Sequence, residues 1–152
     1  LVIAHESIGV DINSSVICSD LVNLGFGYKK TYDELHLPQI SPDLIRHFVR
    51  GYFDGDGCIS LSNKNRSAVI NMVGTRMFLD KVSSILKDNT GVDVCVQRDE
   101  RASDPICILR CGQRNDVIKI LEWLYCDSNI YLLRKYNKYQ QFLNNINNSC
   151  CV

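Results

Sequence analysis

Several features that would narrow the interpretation are missing from this sequence of 152 residues. It has no apolar run as long as a membrane span, and no secretory leader is recognisable. Its eight cysteines include no Cys-x-x-Cys pair, so their positions favour scattered, reduced cysteines that act as small hydrophobic residues over a zinc site or a disulfide framework. We therefore expect a protein of the cytoplasm, a nucleoid or an organelle matrix that is not secreted.

The sequence also lacks an excess of charge. Its 17 basic and 17 acidic residues cancel, so composition by itself does not indicate binding to nucleic acid. The distribution is uneven, because residues 1–41 carry five acids and two lysines whereas residues 42–152 carry fifteen basic and twelve acidic residues. What the chain does contain is 45% apolar and 22% charged residues, which is typical of one globular domain with a real core. Because its first residue is Leu, we expect a part of a longer protein.

The most informative stretch begins as a predicted helix. Ser41 is a good N-cap, and Pro42 suits the first helical position, where a missing N–H costs nothing. An apolar stripe follows at helical spacing and consists of Leu44, Phe48 and either Tyr52 or Phe53. This pattern predicts an amphipathic helix that ends in the run Asp54-Gly55-Asp56-Gly57.

The end of this helix has two unusual properties. Gly51 and Gly55 lie four residues apart on one face, so another backbone could approach closely there. Asp54 and Asp56 add negative charge to a helix end that is already negative. The carboxylates are interpreted either as solvated turn residues or as ligands of a compensating cation.

Periodicity predicts the remaining elements. Strands are expected over 58–62, 67–72, 92–97 and 106–110, and helices over 77–86, 115–125 and 130–146. Before Ser41 the pattern predicts strands over 1–4 and 15–18, a short helix over 19–24 and a linker over 32–40. The order from Ser41 onwards is helix, strand, strand, helix, strand, strand, helix, helix. Its simplest packing is an α+β fold in which an antiparallel four-stranded sheet carries helices on one face.

The other face of that sheet would be wet or bound to a partner. The residues expected there alternate with the core positions and are Ser60, Ser62, Ser67, Val69, Asn71, Cys95, Gln97, Ile106, Ile108 and Arg110. An ordinary solvated face and a surface that enters a DNA groove are equally compatible with this pattern.

Residues Val49 to Gly57 resemble the LAGLIDADG motif of homing endonucleases. Gly51, Asp54, Asp56 and Gly57 match it letter for letter, whereas Arg50 departs from the usual small residue. The similarity extends to 78–81 and 130–136. It implies an αββαββα repeat over 41–147, preceded by the tail of a partial first repeat and a linker over 1–40 and followed by a frayed C-terminus over 148–152.

The resemblance implies a site-specific double-stranded DNA endonuclease that uses Mg²⁺ or another divalent cation such as Mn²⁺. The family's metal ligand carries over to Asp56, with the carbonyl of Gly55 as a lesser contact, while Asp54 supports the helix end. Asn71 is expected to position water, and Lys135 to stabilise charge, with Arg134 as its competitor. Lys30 would be the counterpart of Lys135 from the partial first repeat. The residues expected to contact DNA are Ser60, Ser62, Lys64, Arg66, Asn71, Gln97, Arg98 and Arg110.

A single motif supplies only one acidic ligand of the pair that the family uses. Either two chains pair through Gly51 and Gly55, or the chain needs a missing N-terminal repeat. A non-catalytic DNA-binding or regulatory domain on the same scaffold is the alternative function. Association with a mobile intron or intein is implied by the family, but self-splicing by this chain is not expected, since the residues that would flank an intein are absent.

Overall fold

The protein is described from a computed structural model, and the description extends over residues 2–4, 7–9, 11–25, 37–38, 40–100 and 106–147. The chain divides into two compact units, Leu1–Gln39 and Ile40–Val152. Among the described helices, none combines the length and the apolar character needed to cross a bilayer. The C-terminus predicted to be frayed, 148–152, lies outside the described residues.

The described part of the first unit contains a small hairpin and one helix. β1 (Val2–Ala4) pairs antiparallel with β2 (Ser7–Gly9), and α1 spans Ser15–Asn23. The strand predicted over 1–4 is confirmed, but the one predicted over 15–18 is wrong because these residues open α1. The hydroxyl of Ser14 accepts the N–H of Ile17 at 3.3 Å and so caps the helix start.

The second unit is built on one antiparallel sheet. Its strands are β3 (Gly57–Ser62), β4 (Ser67–Gly74), β5 (Val96–Arg98) and β6 (Cys107–Cys111), in the order β3-β4-β6-β5. Its helices are α2 (Ile45–Asp56), α3 (Arg76–Thr90), α4 (Arg114–Tyr125) and α5 (Leu133–Asn147). The element order and the sheet confirm the predicted α+β fold.

The helices pack on one face of this sheet and form the core with it. Strand residues that point to this face, such as Ile59, Ile70 and Leu109, are at most 1% exposed. They meet the apolar sides of the helices, where the largest fully buried apolar side chains include Phe53, Phe78, Leu79, Leu86, Ile120, Leu121 and Phe142. Burial of this apolar surface is the main force that fixes the helices on the sheet.

The opposite face, called the open face below, carries the alternate strand residues. The register pairs Ser60 with Val69, Asn71 with Arg110, and Gln97 with Ile108. All the open-face residues are exposed or only half-buried, and they are Cys58, Ser60, Ser62, Ser67, Val69, Asn71, Val73, Gln97, Ile108 and Arg110. The face predicted from the alternation is therefore the one that the helices leave uncovered.

The strand predicted over 92–97 is only partly present, because β5 begins at Val96. Val92 and Val94 are buried, as the alternation predicts. Their backbone groups, however, bond to side chains of α3. The hydroxyl of Ser83 donates to the carbonyl of Val94 at 2.5 Å, and the N–H of Val92 donates to the hydroxyl of Thr90 at 3.2 Å.

The apolar stripe predicted for α2 is also displaced. Leu44 is 50% exposed and Phe48 is half-buried, whereas Val49 and Phe53 are fully buried. Ser41 does not cap the backbone, since its hydroxyl donates to the carboxylate of Asp43 at 2.6 Å. Leu44 lies in the short 3-10 helix Pro42–Leu44 just before α2, and the ring of Phe48 packs edge-on against the buried Phe78 at 6.3 Å. The predicted stripe therefore borders the core, and Val49 and Phe53 fill it.

Candidate functional site

Asp56 is the last residue of α2 and stands where the chain enters β3. Its side chain is exposed, and no hydrogen bond or ion pair within the described residues involves its carboxylate. The turn into the strand depends on Gly57, because a Cβ atom there would overlap the ring and the carbonyl oxygen of Phe53. Asp56 is thus held at a fixed point by its backbone while its carboxylate remains available.

Asp54, in contrast, is committed to contacts within the fold. Its Oδ1 accepts the hydroxyl of Tyr125 at 2.9 Å, and its Oδ2 accepts the N–H of Leu132 at 2.9 Å. Burial and the hydrogen bond to Asp54 raise the pKa of Tyr125 above its ordinary value. These contacts agree with the supporting role expected for Asp54. The bonded Leu132 immediately precedes α5, which begins at Leu133 and not at the predicted 130.

Lys135 lies beneath the end of α2. The residue is 1% exposed, and its Nζ donates to the carbonyls of Phe53, at 2.5 Å, and Asp54, at 2.9 Å. The ammonium also lies 5.1 Å from the centroid of the Phe53 ring. It therefore caps the carbonyl end of the helix, where a positive charge is favourable. Burial, together with the nearby charge of Arg134, lowers the pKa of Lys135.

This position bears on the catalytic role expected for Lys135. All of its described contacts are internal, whereas its competitor Arg134 is exposed at the start of α5. Lys135 can supply positive charge under Asp56, but direct contact with a DNA strand is not open to it in this arrangement. Lys30, its expected counterpart, lies outside the described residues.

Asn71 is half-buried on the open face, between Cys58 of β3 and Arg110 of β6 in the sheet register. Since Cys58 follows Asp56 by two residues, Asn71 belongs to the end of the open face that adjoins Asp56. Tyr52 bounds the same region, because its hydroxyl donates to the carbonyl of Val73. Burial and the charge of Asp56 raise the pKa of Tyr52 to about 12.

The other residues expected to contact DNA divide into three groups. Ser60, Ser62, Gln97 and Arg110 are exposed on the open face. Lys64 is exposed and Arg66 half-buried in the turn between β3 and β4, where residues 63–65 all have positive φ. Arg98 pairs with Cys107, whose side chain points to the core, so the register places Arg98 on the helix side at the exposed end of β5.

Gly51 and Gly55 lie on the uncovered side of α2. Both are exposed, and a Cβ atom at either position would meet nothing within 4 Å. Together with the exposed Leu44, just before the helix, they form a strip along one side of α2, called the glycine strip below. Within the described residues, this strip leaves space for another helix to approach.

Arg50 is a residue whose contacts were not predicted. It is 7% exposed, and it donates to the carbonyl of Ile130 at 3.0 Å and to that of Leu124 at 3.2 Å. These bonds join α2 to residues 74 and 80 positions later in the chain. The departure from the motif at this position was the one signal in the sequence that pointed to Arg50.

The described residues contain no group of three or more His, Cys, Asp or Glu side chains that could hold a metal ion. A metal at the end of α2 would therefore take few ligands from one chain. Asp56 and the carbonyl of Gly55 are the oxygen donors that the family resemblance predicts for it.

The sequence was compared with models of protein families and with curated proteins. A family model described as a LAGLIDADG-like domain matches residues 43–122. The sequence matches no curated protein.

Solved structures resemble the fold at low sequence identity. An archaeal intron-encoded homing endonuclease complexed with DNA, I-Vdi141I, is 16% identical, with a TM-score of 0.53 over 71% of this chain and 72% of that chain. The group I intron-encoded homing endonuclease I-CeuI complexed with DNA is 15% identical, with a TM-score of 0.53 over 76% of this chain and 57% of that chain. At these identities the likeness concerns the fold.

Proposed function

The chain belongs to the LAGLIDADG-like domain family, and we propose that it is a site-specific, metal-dependent double-stranded DNA endonuclease whose site needs two motif helices. One observation carries this proposal. Of the two carboxylates at the end of α2, Asp54 is bound by Tyr125 and Leu132, whereas Asp56 is exposed and free of described partners. An exposed carboxylate that no described side chain binds, at a helix end that is already negative, suits a cation.

The donors present fit a divalent metal ion. Asp56 and the Gly55 carbonyl offer oxygen ligands, which Mg²⁺ and Mn²⁺ prefer, and Mg²⁺ in particular needs few of them from a protein. Such an ion would supply charge neutralisation and activation of water for phosphodiester hydrolysis. Lys135 stabilises the end of α2 from below, and Asn71 presents an amide beside the site.

The open face is the DNA-binding surface in this proposal. Gln97, Asn71 and Arg110 can hydrogen-bond base edges, and the pleated surface of a β-ribbon fits the major groove. Lys64 and Arg66 extend this surface at the turn between β3 and β4, where they would meet phosphates.

The glycine strip is the pairing surface. Because Gly51 and Gly55 leave room for a second backbone, another motif helix can pack there and bring a second carboxylate next to Asp56. The partner is either a second copy of this chain or a preceding repeat of the same protein. The segment 1–40 would then be the tail of that preceding repeat.

The test is cleavage of a plasmid library of candidate target sites by the full chain with Mg²⁺, Mn²⁺ or EDTA, with molecular mass measured by light scattering in the same buffers. We expect metal-dependent cleavage by a dimer, or by the monomer once a preceding repeat is restored. Asp56→Asn should abolish cleavage and leave most DNA binding. Cleavage at the parent rate by Asp56→Asn would refute the assignment. DNA binding without cleavage in every form would favour the non-catalytic alternative.

A further inference from the structure

Arg50 and Lys135 are the buried charged residues of the described chain. Besides its bonds to the carbonyls of Leu124 and Ile130, Arg50 has a contact of 2.7 Å between Nη2 and the Nδ1 atom of His47. A guanidinium has only donors and keeps its proton. The Nδ1 atom of His47 must therefore be the acceptor, and Arg50 satisfies three different acceptors at once.

These acceptors connect three parts of the site region. Leu124 is in the last turn of α4, where carbonyls lack helical partners, and Ile130 lies in the connection between α4 and α5, residues 126–132. The carbonyl of Ile130 also accepts the hydroxyl of Ser128 at 3.0 Å. Arg50 therefore binds both the last turn of α4 and the connection that follows it to α2.

The connection ends at Leu132, where two further contacts begin. The N–H of Leu132 donates to Asp54, and its carbonyl accepts the N–H of Lys135 at 2.9 Å in the first turn of α5. Lys135 in turn donates to the carbonyls of Phe53 and Asp54. The backbone just before Asp56 is thus held by a chain of bonds that starts at Arg50.

We propose that Arg50 is a positioning residue of the endonuclease site. By holding residues 126–132 against α2, it aligns Leu132 with Asp54 and Lys135 with the helix end, and so fixes the backbone from which Asp56 projects. The consequence for catalysis rests on the proposed function, whereas the positioning itself does not.

Neutralising the charge of Asp54 is a simpler role that Arg50 could have, since the two charges attract each other. The variant Arg50→Lys separates the two roles. Lysine keeps the positive charge, but its single nitrogen cannot reach the acceptors on Leu124, Ile130 and His47 together. If positioning is what matters, charge alone will not restore it.

The first measurement is amide hydrogen exchange of the full chain and of the variants Arg50→Met and Arg50→Lys, with Arg114→Met as the control for loss of an exposed arginine. We expect exchange of the Leu132 amide to rise roughly tenfold or more in both Arg50 variants, since charge-assisted hydrogen bonds are lost. The amide of Ile70 in β4 should keep its parental rate in all variants. Parental exchange of Leu132 in Arg50→Lys, or a uniform rise at Leu132 and Ile70, would overturn the proposal. If Arg50→Met does not fold, the exchange of the Leu132 amide in Arg50→Lys alone tests the proposal.

The second measurement is the rate of DNA cleavage at saturating enzyme, compared with the DNA affinity in Ca²⁺. Arg50→Lys should cut roughly tenfold more slowly and keep its affinity to within about twofold, because misplacement of a site affects chemistry more than binding. A loss confined to affinity would contradict a positioning role. If the parent chain cuts no DNA in any assembled form, the proposed function fails, and the exchange of Leu132 still tests the positioning by Arg50.

Discussion

The two motif carboxylates should differ sharply in what they contribute to stability. Replacing Asp54 with Ala leaves the Tyr125 hydroxyl and the Leu132 N–H without their described acceptor. Each hydrogen bond to a charged group is worth roughly 1.5–3 kcal/mol, but Asp54 is only half-buried, so water can replace part of the loss. We expect Asp54→Ala to lower the free energy of unfolding by about 2–4 kcal/mol.

Asp54→Asn provides a graded comparison. Its amide oxygen can still accept the N–H of Leu132, and its NH₂ group can donate to the Tyr125 oxygen if that hydroxyl turns away. The loss should therefore be smaller, about 1 kcal/mol. Asp56→Ala and Asp56→Asn remove an exposed carboxylate without described partners, so their effect should stay within about 0.5 kcal/mol.

Urea unfolding at constant pH measures these differences. With a slope of roughly 1–3 kcal/mol per molar urea for a small domain, Asp54→Ala should shift the midpoint by about 1 M or more, and the Asp56 variants should leave it nearly unchanged. Equal shifts for the two alanine variants, or a larger shift for Asp56→Ala, would refute the division of roles between the carboxylates.

Three further predictions concern the surroundings of the site. Gly57→Ala should destabilise the fold by about 2 kcal/mol, since a Cβ atom there overlaps Phe53. Gly55→Ala, with open space around it, should be neutral or should stabilise the helix by up to about 1 kcal/mol. Equal urea midpoints for the two variants would contradict this difference. The pKa of Tyr52 is about 12 in the folded chain and about 10 in the unfolded chain. The folded state therefore favours the protonated phenol, and this contribution to the free energy of unfolding is complete below about pH 10 and is lost as the pH rises through about 12. Tyr52→Phe should flatten that part of the stability curve, and an unchanged curve would contradict the burial of the phenol. Arg110→Ala should weaken DNA binding by about 1–3 kcal/mol, while Arg76→Ala, on α3, should not; equal losses would show that the open face is not the binding surface.

The sequence was sufficient to predict the element order because most of it depends on local periodicity. α4 lies within one residue of its predicted start, and Gly91 ends α3 with a φ of 72°, as a glycine after a helix would. The alternation in β3 and β4 also identified the open face, since the period of two assigns each side chain to a face once the strand exists.

The errors arose where side chains compete for backbone groups. Residues 92–95 alternate like a strand, but Thr90 and Ser83 bind the backbone of Val92 and Val94. Residues 15–18 are apolar enough for a strand, but the hydroxyl of Ser14 accepts the N–H of Ile17 and so favours the start of a helix there. Such outcomes depend on single hydrogen bonds, which hydrophobic periodicity does not record.

The predicted role of Lys135 shows the limit for site residues. The family resemblance suggested Lys135 for this role, but its burial follows from contacts with residues about 80 positions earlier in the chain. The same holds for Arg50, whose acceptors belong to α4 and to the connection that follows it. Neither set of partners can be read from residues that are neighbours in sequence.

The charges at the end of α2 explain why Asp56 is the residue left for a cation. The helix end contributes roughly half a negative charge, and Asp54 and Asp56 each add one. Lys135 donates to the last carbonyls, and Arg50 lies close enough to Asp54 for their charges to attract. These two cations offset the helix end and Asp54, and both are buried on the inner side. Lys135 also attracts Asp56 from below, but the carboxylate of Asp56 is exposed and has no hydrogen bond or ion pair within the described residues, so its outer side is open to solvent or an incoming ion.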